Sequence, residues 1–283
     1  MSRRLCLALA LFFLYAALIG WTPLLDSLVF FPSTNRIAAG NAARRVVAFE
    51  GGELEIWTAA SRAAQVAGQP DCFILRFYGN ADRAERWVAA EAEMFNDRAV
   101  EVWGMNYPGF GGSTGPARLA RVGPAALAAF DELRRTAGDH PVVLFGASLG
   151  TTAALHVSAH REVSGLILHN PPVLREMIVQ QFGWWNLWLL AGPLSQKVPA
   201  ALNNVANAKA THAPGVFLLA EKDEVVAPKY QALVVDAYAG PKRVISLPGA
   251  GHNSPIAGAE LAALHRALDW LFSSGSQTQM SSE

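Results

Sequence analysis

Cysteine is scarce in this chain. Cys6 and Cys72 are the only two in 283 residues, too few for a disulfide scaffold. Charge is scarce as well. Asp, Glu, Lys and Arg make up 16% of the chain, against about 25% in an average soluble domain. The 23 basic and 23 acidic residues cancel, and no run of Lys or Arg is longer than a pair. A nucleic-acid partner, which needs a concentrated basic surface, is therefore excluded. No Asn-x-Ser/Thr acceptor for glycosylation occurs. What is abundant is apolar surface, 52% of residues, far more than a disordered chain carries. The length suits one large α/β domain or two small ones.

Part of the apolar excess sits at the N-terminus. Residues 5–21 form an uncharged run of 17, preceded by Arg3 and Arg4, and the run reaches 21 if extended to Leu25 before Asp26. A spanning helix needs about 20 apolar residues, with a range starting near 17. The segment is apolar on every face, which argues against a buried core helix. The basic start fits a cleaved signal peptide, but small residues at a cleavage position are hard to find after the run. An uncleaved signal anchor over residues 1–25 is the favoured expectation, with a signal peptide as the alternative. The paired arginines would stay in the cytoplasm. The rest of the chain would then lie on the extracytoplasmic side of a membrane. Arginine outnumbers lysine 18 to 5, which fits a bacterium with GC-rich codons, so the expected membrane is a bacterial inner membrane.

Beyond residue 26, short apolar segments alternate with helical patterns. Residues 46–49 and 54–58 flank Glu50-Gly51-Gly52-Glu53 as a hairpin. Strands are expected at 72–78, 100–105, 141–145, 165–168, 216–220 and 243–247. Helices are expected at 83–95, with Trp87, Ala90 and Met94 on one face, and at 149–159, 229–238 and 257–272. A helix at 124–136 would start with Pro124 at its first position. The rhythm predicts a mostly parallel sheet covered on both faces over residues 26–272, with no internal boundary. Residues 172–212 interrupt it as an insertion, and 273–283 read as a polar, frayed tail.

The chemistry falls at the carboxyl ends of these strands. Gly146-Ala147-Ser148-Leu149-Gly150 follows an apolar strand and opens a helix. Alone the pattern is weak, expected by chance in roughly one chain in ten of this length. The strand-to-helix context raises its value, because a serine on such a sharp turn holds its hydroxyl above the sheet edge. A serine hydroxyl needs a positioned base. His252, in the glycine-rich loop after the last strand, is the candidate. His156, His160 and His265 fall on helices, where packing roles are the simpler reading. The acid should follow the preceding strand, and Asp223 is preferred there over Glu221 and Glu224. An oxyanion hole needs two main-chain N–H groups. Leu149 and Asn80 are the candidates, with Gly79 leaving room for a substrate carbonyl.

These residues resemble the α/β-hydrolase-fold serine hydrolases, of the small abhydrolase-domain type with an N-terminal membrane anchor. The resemblance rests on Val29-Phe-Phe-Pro-Ser33, Tyr78-Gly-Asn-Ala81, the glycine-rich Asn106-Tyr-Pro-Gly-Phe-Gly-Gly-Ser-Thr-Gly115, the Ser148 turn, and 221–228 with 248–253. It implies an α/β-hydrolase fold with a small cap insertion, and a triad of Ser148, Asp223 and His252. It also implies that the Tyr107 loop lies beside the site. The family usually has His-Gly where this chain has Tyr78-Gly79.

The insertion carries three of the eight tryptophans, Trp184, Trp185 and Trp188. They read either as a core-facing helix or as a lid meeting acyl chains or a membrane interface. With Tyr78, Gly79 and Tyr107 they are the candidate substrate-binding residues. The expected activity is cleavage of a carboxylic ester or thioester through an acyl-enzyme. The expected substrate is a small or lipid-like acyl compound, and neither metal nor organic cofactor is needed. A non-catalytic binding protein keeping the fold, or an exported peptidase, is the alternative.

Overall fold

The computed structural model describes residues 3–20, 23–184 and 188–280. Two helices, α1 (Arg3–Gly20) and α2 (Pro23–Val29), precede the domain. At 1.5 Å per residue α1 is about 27 Å long, and its first two residues are arginines. No helix among the described residues is long and apolar enough to cross a membrane. The expected anchor thus has no spanning helix there, and Trp21 and Thr22, which would extend it, lie outside the described residues.

The domain opens with the expected hairpin. Glu50 and Gly51 take φ of 47° and 74°, a two-residue turn with both centres in the left-handed region. It joins β1 (Ala43–Phe49) to β2 (Gly52–Ala60). There follow α3 (Arg62–Ala67), β3 (Cys72–Phe77), α4 (Ala84–Met94), β4 (Val100–Met105), α5 (Leu119–Ala137), β5 (Val142–Ala147), α6 (Gly150–Ser158) and β6 (Gly165–His169). The insertion is helical: α7 (Leu174–Phe182), α8 (Ala191–Ser195), a 3-10 turn at Ala200–Leu202, and α9 (Asn204–Ala210). Then come β7 (Gly215–Ala220), α10 (Pro228–Ala237), β8 (Lys242–Leu247) and α11 (Gly258–Met280).

The strands form one sheet in the order β1-β2-β4-β3-β5-β6-β7-β8. β1, β2 and β4 pair antiparallel, and every other pairing is parallel. Alternate residues of the central strands feed two cores. Leu75, Phe77, Leu144 and Leu168 join one face with residues of α5 and α6. Ile74, Val143, Phe145 and Ile167 join the other with residues of α4 and α11. Such two-sided burial explains why these strands are continuous apolar runs.

Three expectations change. Pro124 is not the first residue of its helix, because α5 begins five residues earlier, at Leu119. The Asp26 carboxylate of α2 accepts the Leu119 N–H at 2.8 Å, a cap supplied from far along the chain. The apolar side expected of α4 is not its buried side. Trp87 is 43% exposed, whereas Val88, Ala92 and two carboxylates, Glu85 and Glu91, face inward. Those carboxylates are tolerated because each is paired. Arg76 Nε donates to Glu91 at 2.6 Å and Arg83 to Glu85 at 2.9 Å. Finally, the tail is not frayed from residue 273, since α11 runs on to Met280.

Candidate active site

Sheet order brings the candidate residues together. The ends of β5, β7 and β8 lie along one sheet edge, with β6 between the first two. Ser148 sits in the turn between β5 and α6 with φ of 50°. A left-handed non-glycine residue is strained, and that strain lifts the side chain clear of the backbone. The turn demands glycines around it. A Cβ at Gly146 would lie 2.6 Å from the Gly150 carbonyl oxygen. One at Gly150 would lie 2.1 Å from the Phe77 carbonyl oxygen.

Ser148 Oγ is 3.0 Å from His252 Nε2, and His252 Nδ1 is 2.8 Å from Asp223 Oδ2. The Asp223 side chain is fully buried. Its Oδ1 accepts from the N–H groups of Val225 and Val226, at 2.9 and 2.7 Å. Its Oδ2 accepts a further bond from Gln231 Nε2 at 3.2 Å. A carboxylate only accepts, so Nδ1 holds the imidazole proton and Nε2 is left to accept from the serine. The structure thus brings Ser148, His252 and Asp223 into one hydrogen-bonded line. Glu224 instead accepts the His252 main-chain N–H at 3.3 Å, and Glu221 accepts from Ser246 Oγ at 2.7 Å.

The loop after β3 lies against the nucleophile. A Cβ placed on Gly79 would be 3.8 Å from Ser148 Cβ, so its absence leaves room beside the hydroxyl. Among the described residues, neither the Asn80 nor the Leu149 N–H has a main-chain or side-chain acceptor. The Asn80 side chain is used elsewhere. Its Nδ2 donates to the Val29 carbonyl at 2.8 Å, and its own carbonyl accepts the Phe31 N–H at 3.0 Å. Arg83, almost fully buried, ties the same strap by donating to the Ser33 and Asn35 carbonyls at 2.8 and 2.7 Å. The segment after α2 thus holds the loop in place.

Tyr78 and Tyr107 do not face a substrate, which corrects their placement among substrate-binding residues. Both are buried. The Tyr78 hydroxyl donates to Glu91 Oε2 at 2.8 Å, and Arg76 lies 4.7 Å from its ring centre. The Tyr107 hydroxyl donates to the Tyr78 carbonyl at 3.0 Å, and its ring packs on Phe30 and Phe110. Tyr78 therefore turns its side chain into the core, while its main chain runs into the loop beside Ser148. Trp184 and Trp188 are exposed, at 73% and 48%, which removes the core-facing reading for both. Trp185 lies outside the described residues.

Two contributors carried no sequence signal strong enough to single them out. Gln231, buried inside α10, donates to Asp223 and to the Val226 carbonyl. Asn170, buried and directly after β6, bonds toward both the acid and the histidine loops. Among the described residues, no group of three or more His, Cys, Asp or Glu is arranged to hold a metal ion.

A family model described as the alpha/beta hydrolase fold matches residues 74–191. Together with the sheet order and the Ser148 turn, it decides the architecture. The chain has the α/β-hydrolase fold. An esterase of Pyrococcus furiosus superposes on 86% of this chain and 97% of its own with a TM-score of 0.63 at 12% identity. A bacterial membrane phospholipase A, described as a virulence factor, covers 94% of this chain and 96% of its own with a TM-score of 0.56 at 18% identity. In sequence, an uncharacterised protein of Mycobacterium tuberculosis is 27% identical over 180 residues. That alignment spans 62% of this hydrolase-fold chain and 62% of the relative.

Two histidines, His156 buried and His169 partly buried, make this hydrolase fold sensitive to acid. Burial, followed by the nearby Arg76 and His252, pushes His169 down to about 4. Burial and His160 push His156 to about 4 as well. A depressed histidine is neutral when folded and gains its proton when unfolded. Stability is therefore fully present above the unfolded value of 6.5 and falls as pH drops toward 4. A shift of this size costs at most about 2 kcal/mol per imidazole on going from pH ~7 to pH ~5, and less for His156, which is only partly desolvated. The urea midpoint should fall accordingly, and His156→Gln with His169→Gln should flatten the profile. An equal midpoint at both pH values in the wild type would refute this account.

Proposed function

We propose that this protein is a serine hydrolase that cleaves carboxylic esters or thioesters through an acyl-enzyme. The observation that carries the reading is the continuous hydrogen-bonded line from Asp223 through His252 to Ser148 Oγ, together with the Asn80 and Leu149 N–H groups, which have no acceptor among the described residues. A binding module has no use for a buried acid that fixes the tautomer of an imidazole.

In this reading Ser148 Oγ attacks the acyl carbon while His252 Nε2 takes the hydroxyl proton. The carbonyl π electrons move to oxygen, and the oxyanion accepts from the Asn80 and Leu149 N–H groups. As the tetrahedral intermediate collapses, the bond to the alkoxide or thiolate breaks and His252 passes its proton to that leaving group. Water then attacks the acyl-enzyme with His252 again as base, and Ser148 recovers its proton as the acid departs. Asp223 keeps Nδ1–H oriented and stabilises the imidazolium throughout.

The proposal extends to location. The exposed Leu7, Leu11, Phe12, Phe13 and Leu14 of α1, behind Arg3 and Arg4, support attachment to a bacterial inner membrane with the catalytic domain on the extracytoplasmic side. The exposed Trp184 and Trp188 suit a lid that meets acyl chains. The likeness to a membrane phospholipase A supports a lipid-like acyl substrate.

One experiment tests both parts. Cells expressing the full chain, wild type or Ser148→Ala, are fractionated and labelled with a fluorophosphonate probe. A labelled band that depends on Ser148 and stays in carbonate-washed membranes is expected. Folded wild-type protein without Ser148-dependent label overturns the enzyme, and a labelled band in the soluble fraction alone overturns the attachment.

A further inference from the structure

β6 is the strand between the one that presents the nucleophile and the one that presents the acid. Its last residue and the next one touch all three limbs of the site. The His169 carbonyl accepts the Ser148 N–H at 2.8 Å. The Asn170 N–H donates to the Leu218 carbonyl of β7 at 3.0 Å. Asn170 Oδ1 accepts the N–H of Ala220, three residues before Asp223, at 2.9 Å. Asn170 Nδ2 donates to the His252 carbonyl at 3.3 Å.

The residue type suits the task. Asn170 is 1% exposed and has φ of 50°, a conformation asparagine tolerates better than most residues. Its amide presents an acceptor and a donor in one rigid plane. One side chain therefore sets the spacing between the acid strand and the histidine loop, while the preceding carbonyl fixes the nucleophile turn. The acid and histidine loops also bond each other directly, through Lys222 N–H to the Ala250 carbonyl at 2.9 Å. That bond does not refer either loop to the Ser148 turn. The link through Asn170 does.

We propose that Asn170 is a positioning residue of the site, registering the His252 loop against Ser148 and the Asp223 strand. This rests on the serine-hydrolase reading for its kinetic consequence and on geometry alone for its structural one. The hydrogen bond it protects is short and directional. Displacement of a reacting group by about 1 Å costs on the order of 100-fold in rate.

Two variants separate positioning from a merely structural role. Asn170→Gly keeps the left-handed backbone and loses both side-chain bonds. Asn170→Asp keeps the shape and the acceptor for Ala220 but loses the donor to His252. The kinetic readout is kcat and KM for p-nitrophenyl butyrate per titrated active site, on the plateau of each pH profile. The second readout, independent of turnover, is the low-field proton resonance of His252 Nδ1–H against Asp223.

Both variants are expected to lose about 100-fold in kcat with KM within about threefold, and to show that resonance broadened or lost. An Asp variant with wild-type kcat and an intact resonance overturns the proposal. A wild type that shows the resonance but turns over no ester defeats the serine-hydrolase reading. The effect of Asn170 on the resonance still decides its positioning role in that case.

Discussion

Asp223→Asn is expected to lower kcat for ester hydrolysis by about ten-thousand-fold, with KM nearly unchanged. The size of the effect follows from the direction of each hydrogen bond. Oδ1 accepts two main-chain N–H groups, from Val225 and Val226. An asparagine must keep its oxygen on that side, because an NH2 there would meet two donors. Its NH2 group then replaces Oδ2 and faces His252 Nδ1 and the Gln231 Nε2 donor. Nδ1 becomes the acceptor, so the imidazole proton moves to Nε2. Nε2 then has no lone pair for the Ser148 hydroxyl proton, and the nucleophile loses its base. Substrate contacts are untouched, so KM holds. Steady-state kinetics check the outcome, and a loss of less than about tenfold would mean that Asp223 is not the acid that orients the base.

Gly150→Ala should damage both folding and rate, through a different route. The added Cβ would stand 2.1 Å from the Phe77 carbonyl oxygen, 2.5 Å from the Phe77 carbonyl carbon and 2.7 Å from the Tyr78 carbonyl oxygen. These are main-chain atoms in the central sheet and the loop after it, and they have no rotamer with which to move aside. Overpacking of this kind costs about 3 kcal/mol, the upper end of its usual range. The strand end and loop that must shift carry the Asn80 N–H, so surviving folded enzyme should lose about 100-fold or more in kcat, the worth of one oxyanion donor. Gly192→Ala is the matched control, because among the described residues no other part of the fold lies within 4 Å of its Cβ position. There the helix preference of alanine should leave stability unchanged or raise it by up to about 1 kcal/mol. Urea midpoints and kcat for the two variants check the pair. Equal stability of the two would show that the elbow yields more readily than its geometry implies.

Much of the site was legible before any coordinates. Ser148 stands out by the glycines two positions to either side of it after an apolar strand, since the crowded turn has no room for a Cβ at either. His252 and Asp223 followed from strand order, because the chain must return them to the same sheet edge. Tyr78 and Tyr107 were misjudged for a shared reason. An aromatic residue next to a glycine loop reads as a substrate contact until its hydroxyl is seen to have a buried partner. Here those partners are Glu91, on a helix whose inward side carries carboxylates, and the Tyr78 carbonyl, in the loop after β3. A hydrophobic periodicity cannot mark such a face, and for that reason the Trp87 side of α4 was chosen wrongly. The start of α5 was missed because its cap, Asp26, lies 93 positions away.

The sequence by itself determined the class of the fold, the strand ends that carry chemistry and the three residues in line. Local patterns suffice for these, because short apolar runs between helical patterns set the sheet and glycine sets the turns. Tertiary structure alone decided how the line is held. Asn170 and the strap from Asp26 to Asn35 act through hydrogen bonds between segments distant in the chain, and Gln231 through bonds across the turn before its helix, and none of these leaves a periodicity to read. It also decided which aromatic residues are exposed. Trp184 and Trp188 face outward, and Tyr78 and Tyr107 inward, because burial is settled by what packs opposite a residue and not by its own hydrophobicity.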